Sequence, residues 1–88
     1  MSWAVYILRC ADDSLYTGIT TDLERRVSEH NGNSPGAGAR FTRSRQPVTL
    51  VYSETASNRS EASKREMAIK ALSREQKLAL LNHASALI

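Results

Sequence analysis

Eighty-eight residues with 41% hydrophobic content suffice for one modest core, so the chain is read as a single domain over residues 1–88. No apolar run approaches the ~18 residues of a membrane span, and Met1-Ser2-Trp3-Ala4-Val5 enters a strand pattern without a charged leader, so no membrane partner and no secretory signal are expected. The net charge of +3 and pI of 9.4 permit an anionic partner, while the single Cys10 excludes an internal disulfide and a cysteine-based zinc cluster, which fits a cytoplasmic location.

The charge is unevenly spread. Between Arg25 and Arg45 lie five arginines, Arg25, Arg26, Arg40, Arg43 and Arg45, against one acid, Glu29. Aromatic residues are few, which disfavours a stacking platform for single strands.

Ala4 to Cys10 reads as a first strand, with Val5, Ile7 and Arg9 on one face and Ala4, Tyr6, Leu8 and Cys10 on the other. Cys10, in this apolar run, reads as an inert buried thiol. Ala11-Asp12-Asp13-Ser14 is turn chemistry, and a second strand starts at Leu15, so an antiparallel hairpin is expected with one tyrosine, Tyr6 or Tyr16, on each strand. A helix follows. Thr21 is read as its cap, with Glu24 three residues on reaching back to the cap amide. At ~100° per residue, Leu23, Arg26, Val27 and His30 share the inward side. Arg25 and Glu29 read as solvated charges. An inward arginine is costly unless an anion meets it, or unless it snorkels past the core edge or pairs with a carboxylate.

Gly32 to Ala39 holds three glycines and a proline and reads as a loop. It runs into Arg40, Phe41, Thr42, Arg43 and Arg45, a composition that suits phosphate oxygens and equally suits a solvated loop. Val48 to Ser53 is a third strand, expected to complete a three-stranded antiparallel sheet. Asn58 with Glu61 caps a helix reaching about Leu72, its inner stripe Ala62, Arg65, Ile69 and Leu72. Glu66, at the edge of that stripe, is its least solvated acid. Ser73 with Gln76 opens a last helix whose stripe is Leu78, Leu81, Ala84 and Leu87, with His83 read as surface or structural. The fold class is therefore α+β, a three-stranded antiparallel sheet flanked by helices.

Two tyrosines on adjacent strands, an inward Arg and His on one helix face, a half-solvated Glu and a basic loop together suit phosphodiester cleavage. Such a site needs a water activator, a cation for transition-state charge and a metal to polarise the phosphoryl oxygen. Ala4-Val5-Tyr6, Tyr16-Thr17-Gly18, Asp22-Leu23-Glu24-Arg25-Arg26-Val27 and His30-Asn31, with Gly36-Ala37-Gly38-Ala39-Arg40-Phe41-Thr42 and Glu66-Met67-Ala68-Ile69-Lys70, resemble the GIY-YIG endonuclease superfamily, and within it the small bacterial UPF0213 group.

That resemblance implies a metal-dependent endonuclease cleaving DNA, in repair or processing. It places Tyr6, Tyr16, Arg26 and His30 in the catalytic constellation and Glu66 at Mg²⁺ or Mn²⁺. Arg40, Arg43, Arg45 and Lys70 are then expected on backbone phosphates of branched, nicked or single-stranded DNA. A phenol titrates near ~10, so Tyr16 as general base needs cation help. Tyr6 would orient substrate or water, and His30 would assist proton transfer or hold Tyr16. The first motif here is Ala-Val-Tyr rather than Gly-Ile-Tyr, and no asparagine matches the one many superfamily nucleases carry after the glutamate helix. A monomer or weak dimer is expected. The alternative readings are a nucleic-acid-binding module that kept the fold without the chemistry, and a structural Arg26–Glu66 ion pair.

Overall fold

The computed structural model describes residues 2–32 and 45–86, with side chains to residue 82. Arg40, Arg43 and the expectations for the glycine-rich loop, His83, Ala84 and Leu87 lie outside those described residues or side chains. The elements run β1 (Trp3–Arg9), β2 (Leu15–Thr20), α1 (Leu23–His30), β3 (Thr49–Ala56), α2 (Arg59–Lys70) and α3 (Arg74–Ala86). The sheet has the order β2-β1-β3, antiparallel throughout. No helix among the described residues is long and apolar enough to cross a membrane.

The central strand explains its own sequence. β1 has a neighbour on each side and helices over both faces, so Val5, Tyr6, Ile7 and Leu8 are all buried in succession. Val5 and Ile7 pack with Ala62 and Ile69 of α2 and with Leu80 and Leu81 of α3. Tyr6, Leu8 and Cys10 pack on the other face with Leu23 and Val27 of α1, Tyr16 and Val48. The expected alternation therefore holds, and Cys10 is buried as read. β3 extends three residues beyond Ser53 because β1 offers pairing partners as far as Trp3, opposite Ala56. Its register shifts between Ile7, opposite Tyr52, and Leu8, opposite Leu50. Val51 is the extra residue of this bulge.

The helix starts follow capping chemistry, with one correction. The α1 cap is Asp22 rather than Thr21: its carboxylate accepts from the Arg25 amide at 3.1 Å. Thr20 Oγ1 in turn accepts from the Asp22 amide at 3.0 Å, fixing Asp22 in extended backbone. Asn58 accepts from the Glu61 amide at 2.9 Å. Ser73 and Gln76 bond reciprocally, at 3.1 and 2.9 Å. α2 ends at Lys70, with Ala71 as its C-cap, short of Leu72. Arg65 leaves the inner stripe because Glu54 on β3 draws its guanidinium outward into an ion pair. In α3, Leu81 packs inward as expected, but the neighbour beside it is Leu80, and Leu78 stays 39% exposed.

Candidate active site

Strand register brings the two tyrosines together. Tyr6 stands opposite Gly18, and Leu8 opposite Tyr16, so both phenols rise from the α1 face of the sheet. The ring centroids of Tyr6 and Tyr16 are 6.5 Å apart. His30, at the last turn of α1, completes the cluster, 6.0 Å from Tyr6 and 5.1 Å from Tyr16. Gly18 makes room for it. A Cβ at Gly18 would overlap the Tyr6 hydroxyl and lie 2.6 Å from its Cζ.

The Tyr6 hydroxyl and His30 Nε2 are 3.0 Å apart and buried. Arg26 also hydrogen-bonds this phenol. Donor inventory assigns the directions. A guanidinium only donates, so the phenol oxygen accepts from Arg26 and its one proton goes to His30 Nε2. The imidazole must then be neutral with its own proton on Nδ1. Burial, and then the Arg26 charge, push the His30 pKa down to about 4, which keeps it neutral near pH 7. Burial pushes the Tyr6 phenol up to about 12, against the opposing Arg26 hydrogen bond, with the charges of Tyr16 and Glu66 adding to the rise. Tyr6 therefore keeps its proton.

Arg26 is held from a second side. Its Nη1 donates to Glu29 Oε1 at 3.0 Å. Burial works against the arginine charge, but the bonds to Glu29 and Tyr6 outweigh it and raise the pKa above the ordinary value. Glu29 is thus not the solvated charge that helix periodicity predicts: its side chain is 20% exposed and turned toward Arg26. Arg25 is solvated as expected, at 63%.

Glu66 arrives from α2, which packs on the opposite face of β1 and also against edge strand β2. Its carboxylate is near enough for its charge to reach Tyr6. The side chain is 22% exposed, against 55% for Glu61, and pairs with Lys70 at 3.4 Å. The ion pairs at Arg26 and at Glu66 run within their own helices, rather than joining the two residues as the structural reading had it. Among the described residues no three His, Cys, Asp or Glu side chains gather into a metal cage. One half-buried carboxylate still fits Mg²⁺, which keeps several waters and takes substrate oxygens rather than demanding an all-protein cage.

The structure sorts these residues by access. Tyr6 and His30 are sealed at 1% and 0% exposure, whereas Tyr16, Arg26 and Glu66 are half-buried and reach the surface. His30 bonds Tyr6 through Nε2 and lies with its ring against Tyr16. Of the expected phosphate-binding residues, the two described, Arg45 and Lys70, each pair with a carboxylate. Arg45 turns to Asp12 on the β1–β2 turn, at 3.0 Å, and Lys70 lies on Glu66.

Residues not singled out in the sequence support the cluster. Gln46 Nε2 donates to the His30 carbonyl at 2.9 Å. Asn31 clasps Val48, donating from Nδ2 to its carbonyl at 3.1 Å and accepting from its amide at 2.7 Å. Gly32, at φ +84°, lies under the Gln46 side chain. These contacts tie the end of α1 to the entry of β3. Gly18 and Asn31 stand in the quoted motifs without a role, and hairpin register, which sets Gly18 opposite Tyr6, supplies one for Gly18. Glu29 had a weaker signal, its i,i+3 spacing from Arg26.

A β2-β1-β3 sheet presenting two tyrosines beside a helix-borne Arg and His defines a class, and sequence comparison agrees. Residues 2–79 match the family model described as the GIY-YIG catalytic domain. The chain belongs to the GIY-YIG family, a nuclease family. Within it the chain is similar to UPF0213 proteins. One from Desulfotalea psychrophila is 61% identical over 80 residues, spanning 91% of this chain and 71% of the relative. Another, from Halobacterium salinarum, is 54% identical over 76 residues, spanning 86% and 95%. The solution NMR structure of a UPF0213 protein from Bacillus halodurans superposes with a TM-score of 0.59 at 43% identity, covering 93% of this chain and 84% of that one. That of a protein from E. faecalis gives 0.61 at 39% identity, covering 96% and 88%.

Proposed function

We propose that this chain is a metal-dependent nuclease that hydrolyses phosphodiester bonds of DNA, acting in DNA repair or processing in the cytoplasm. The observation that carries the reading is the division by access: Tyr6 and His30 sealed, Tyr16, Arg26 and Glu66 half-buried and reaching the surface. A sealed, fully bonded pair beside partly exposed polar groups is the arrangement that preorganises a site.

Glu66 would hold Mg²⁺ or Mn²⁺, which when bound supplies Lewis-acid polarisation of a phosphoryl oxygen. Arg26 binds the scissile phosphate and meets the charge that grows on it in the transition state. Tyr16 positions the attacking water, and takes its proton once the phenol has given up its own to solvent. Tyr6 and His30 are positioning residues: Tyr6, which keeps its proton, passes the orientation of His30 to Arg26 through one hydroxyl. Lys70 turns from Glu66 to a backbone phosphate. Arg40, Arg43 and Arg45 contribute salt-sensitive phosphate contacts, Arg45 by exchanging Asp12 for DNA.

The test is cleavage of labelled nicked, branched and single-stranded DNA in Mg²⁺, in Mn²⁺ and in EDTA, with wild type beside Arg26→Ala. The reading expects metal-dependent cutting that Arg26→Ala abolishes. A second reading, a nucleic-acid-binding module without chemistry, is favoured by the Lys70 ammonium already seated on Glu66. It predicts salt-sensitive binding with no cutting under any metal.

A further inference from the structure

Glu29 has no part in the chemistry just described, yet it holds the guanidinium assigned to the scissile phosphate. Its Oε1 accepts from Arg26 Nη1 at 3.0 Å, and its Oε2 lies 4.0 Å from Arg25 Nε. Both partners of the Arg26–Glu29 contact are largely shielded, at 26% and 20% side-chain exposure, unlike the Lys64–Glu61 pair of α2, at 73% and 55%. A half-buried carboxylate needs a reason, because desolvating it costs more than leaving it in water. Its position supplies one. A carboxylate and a phosphodiester offer a guanidinium the same thing, anionic oxygens in a plane. Arg26 is fixed on its other side by the sealed Tyr6 phenol. Its Nη1 is the donor that Glu29 occupies.

We propose that Glu29 is a positioning residue that stands in for the substrate phosphate: it holds Arg26 in its working direction and gives the guanidinium up when a phosphodiester arrives. This rests on the reading of Arg26 as the phosphate-binding residue. Two consequences follow. Binding exchanges one anion for another at Arg26, so Arg26 adds little to the salt dependence of DNA affinity while Glu29 is present. Holding the guanidinium in place lowers the ordering cost when the transition state forms, so Glu29 supports turnover although it opposes binding.

The experiment uses the full chain with Glu29→Gln and Glu29→Ala, and a nicked duplex as probe. Binding is measured in EDTA across a salt series and turnover in Mg²⁺. Glu29→Gln keeps an acceptor for Arg26 but loses the charge. It should bind about fivefold tighter at low salt, with a slope of log K against log salt steeper by about one. Adding Arg26→Ala to Glu29→Gln should return the slope to the wild-type value. Glu29→Ala should also bind tighter, with kcat reduced, and Glu29→Gln should recover kcat. Wild-type affinity and slope in Glu29→Gln would overturn the proposal, as would equal kcat in the Ala and Gln variants of a cleaving enzyme. The binding arm does not depend on cutting. An inactive wild type would therefore count against the nuclease reading alone, and the salt slope would still decide the role of Glu29.

Discussion

Tyr6 on the central strand and His30 at the end of α1 are joined by a 3.0 Å hydrogen bond across 24 residues of sequence. The bond locks α1 onto the sheet at the point where Arg26 touches the same phenol. It is also buried, so both partners hold fixed protonation states near pH 7: Tyr6 protonated, at about 12, and His30 neutral, at about 4.

Acid should loosen this lock. An unfolded histidine titrates near ~6.5, whereas His30 in the fold titrates at about 4. Between those values the unfolded chain binds more protons than the folded one. Stability contributed by His30 is therefore full above pH ~6.5 and falls as the pH drops toward 4, by about 3 kcal/mol in all. Urea unfolding of wild type and His30→Gln at several pH values checks this. The difference between the two curves should shrink as the pH falls through that window, and a constant difference would contradict it.

Gly18 should tolerate no side chain. The Cβ of Gly18→Ala would lie 2.6 Å from Tyr6 Cζ, and Tyr6 has no space to retreat into at 1% exposure. The expected cost is about 1–3 kcal/mol of overpacking. The Tyr6–His30 bond would go with it, so nuclease activity should fall even at temperatures where the variant remains folded. Thermal unfolding and cleavage rates measured on one preparation separate the two effects.

Arg26→Lys keeps the charge and loses the fork. An ammonium is a point charge and cannot reproduce the two fixed directions, to Tyr6 and to Glu29, that the planar guanidinium spans. Cleavage should drop about 100-fold, near the loss expected for removing an electrostatic donor at the transition state, while circular dichroism stays that of wild type. Activity within a few fold of wild type would mean that charge alone suffices.

Asn31, half-buried at the end of α1, should matter for stability. Asn31→Ala leaves the Val48 amide and carbonyl without the bonds at 2.7 and 3.1 Å. Val48 itself is buried at 5% exposure, so water replaces those bonds poorly. A loss of about 1–3 kcal/mol is expected in denaturant unfolding. Because the same segment carries Gln46 against the His30 carbonyl, the variant should also lower activity.

Much of this site is written in local pattern. Alternation along β1 separates Val5 and Ile7 from Tyr6 and Leu8, and helical periodicity turns Arg26 and His30 inward with Leu23 and Val27. What local pattern lacks is competition between equals and contact across distance. Thr21 and Asp22 are both good caps, and the choice falls to the Thr20 hydroxyl that fixes the Asp22 amide. Arg65 lies on the inner stripe by periodicity, yet Glu54, on another element, draws it out. The sealing of Tyr6 depends on β3 pairing with the far side of β1, which no spacing in the hairpin reveals. Glu29 is a surface residue by its helical angle, and only the direction of the Arg26 fork turns it inward.

The most direct test of the central claim, that Glu66 and Arg26 work together around the sealed Tyr6–His30 pair, is single-turnover cleavage of nicked DNA in Mg²⁺ by wild type and Glu66→Ala. Glu66 makes no bond to the sealed pair, so its removal should leave the fold and the Tyr6–His30 contact intact. The account predicts cutting by wild type that EDTA stops and that Glu66→Ala reduces to background. A Glu66→Ala protein that cuts as fast as wild type in Mg²⁺ would contradict it.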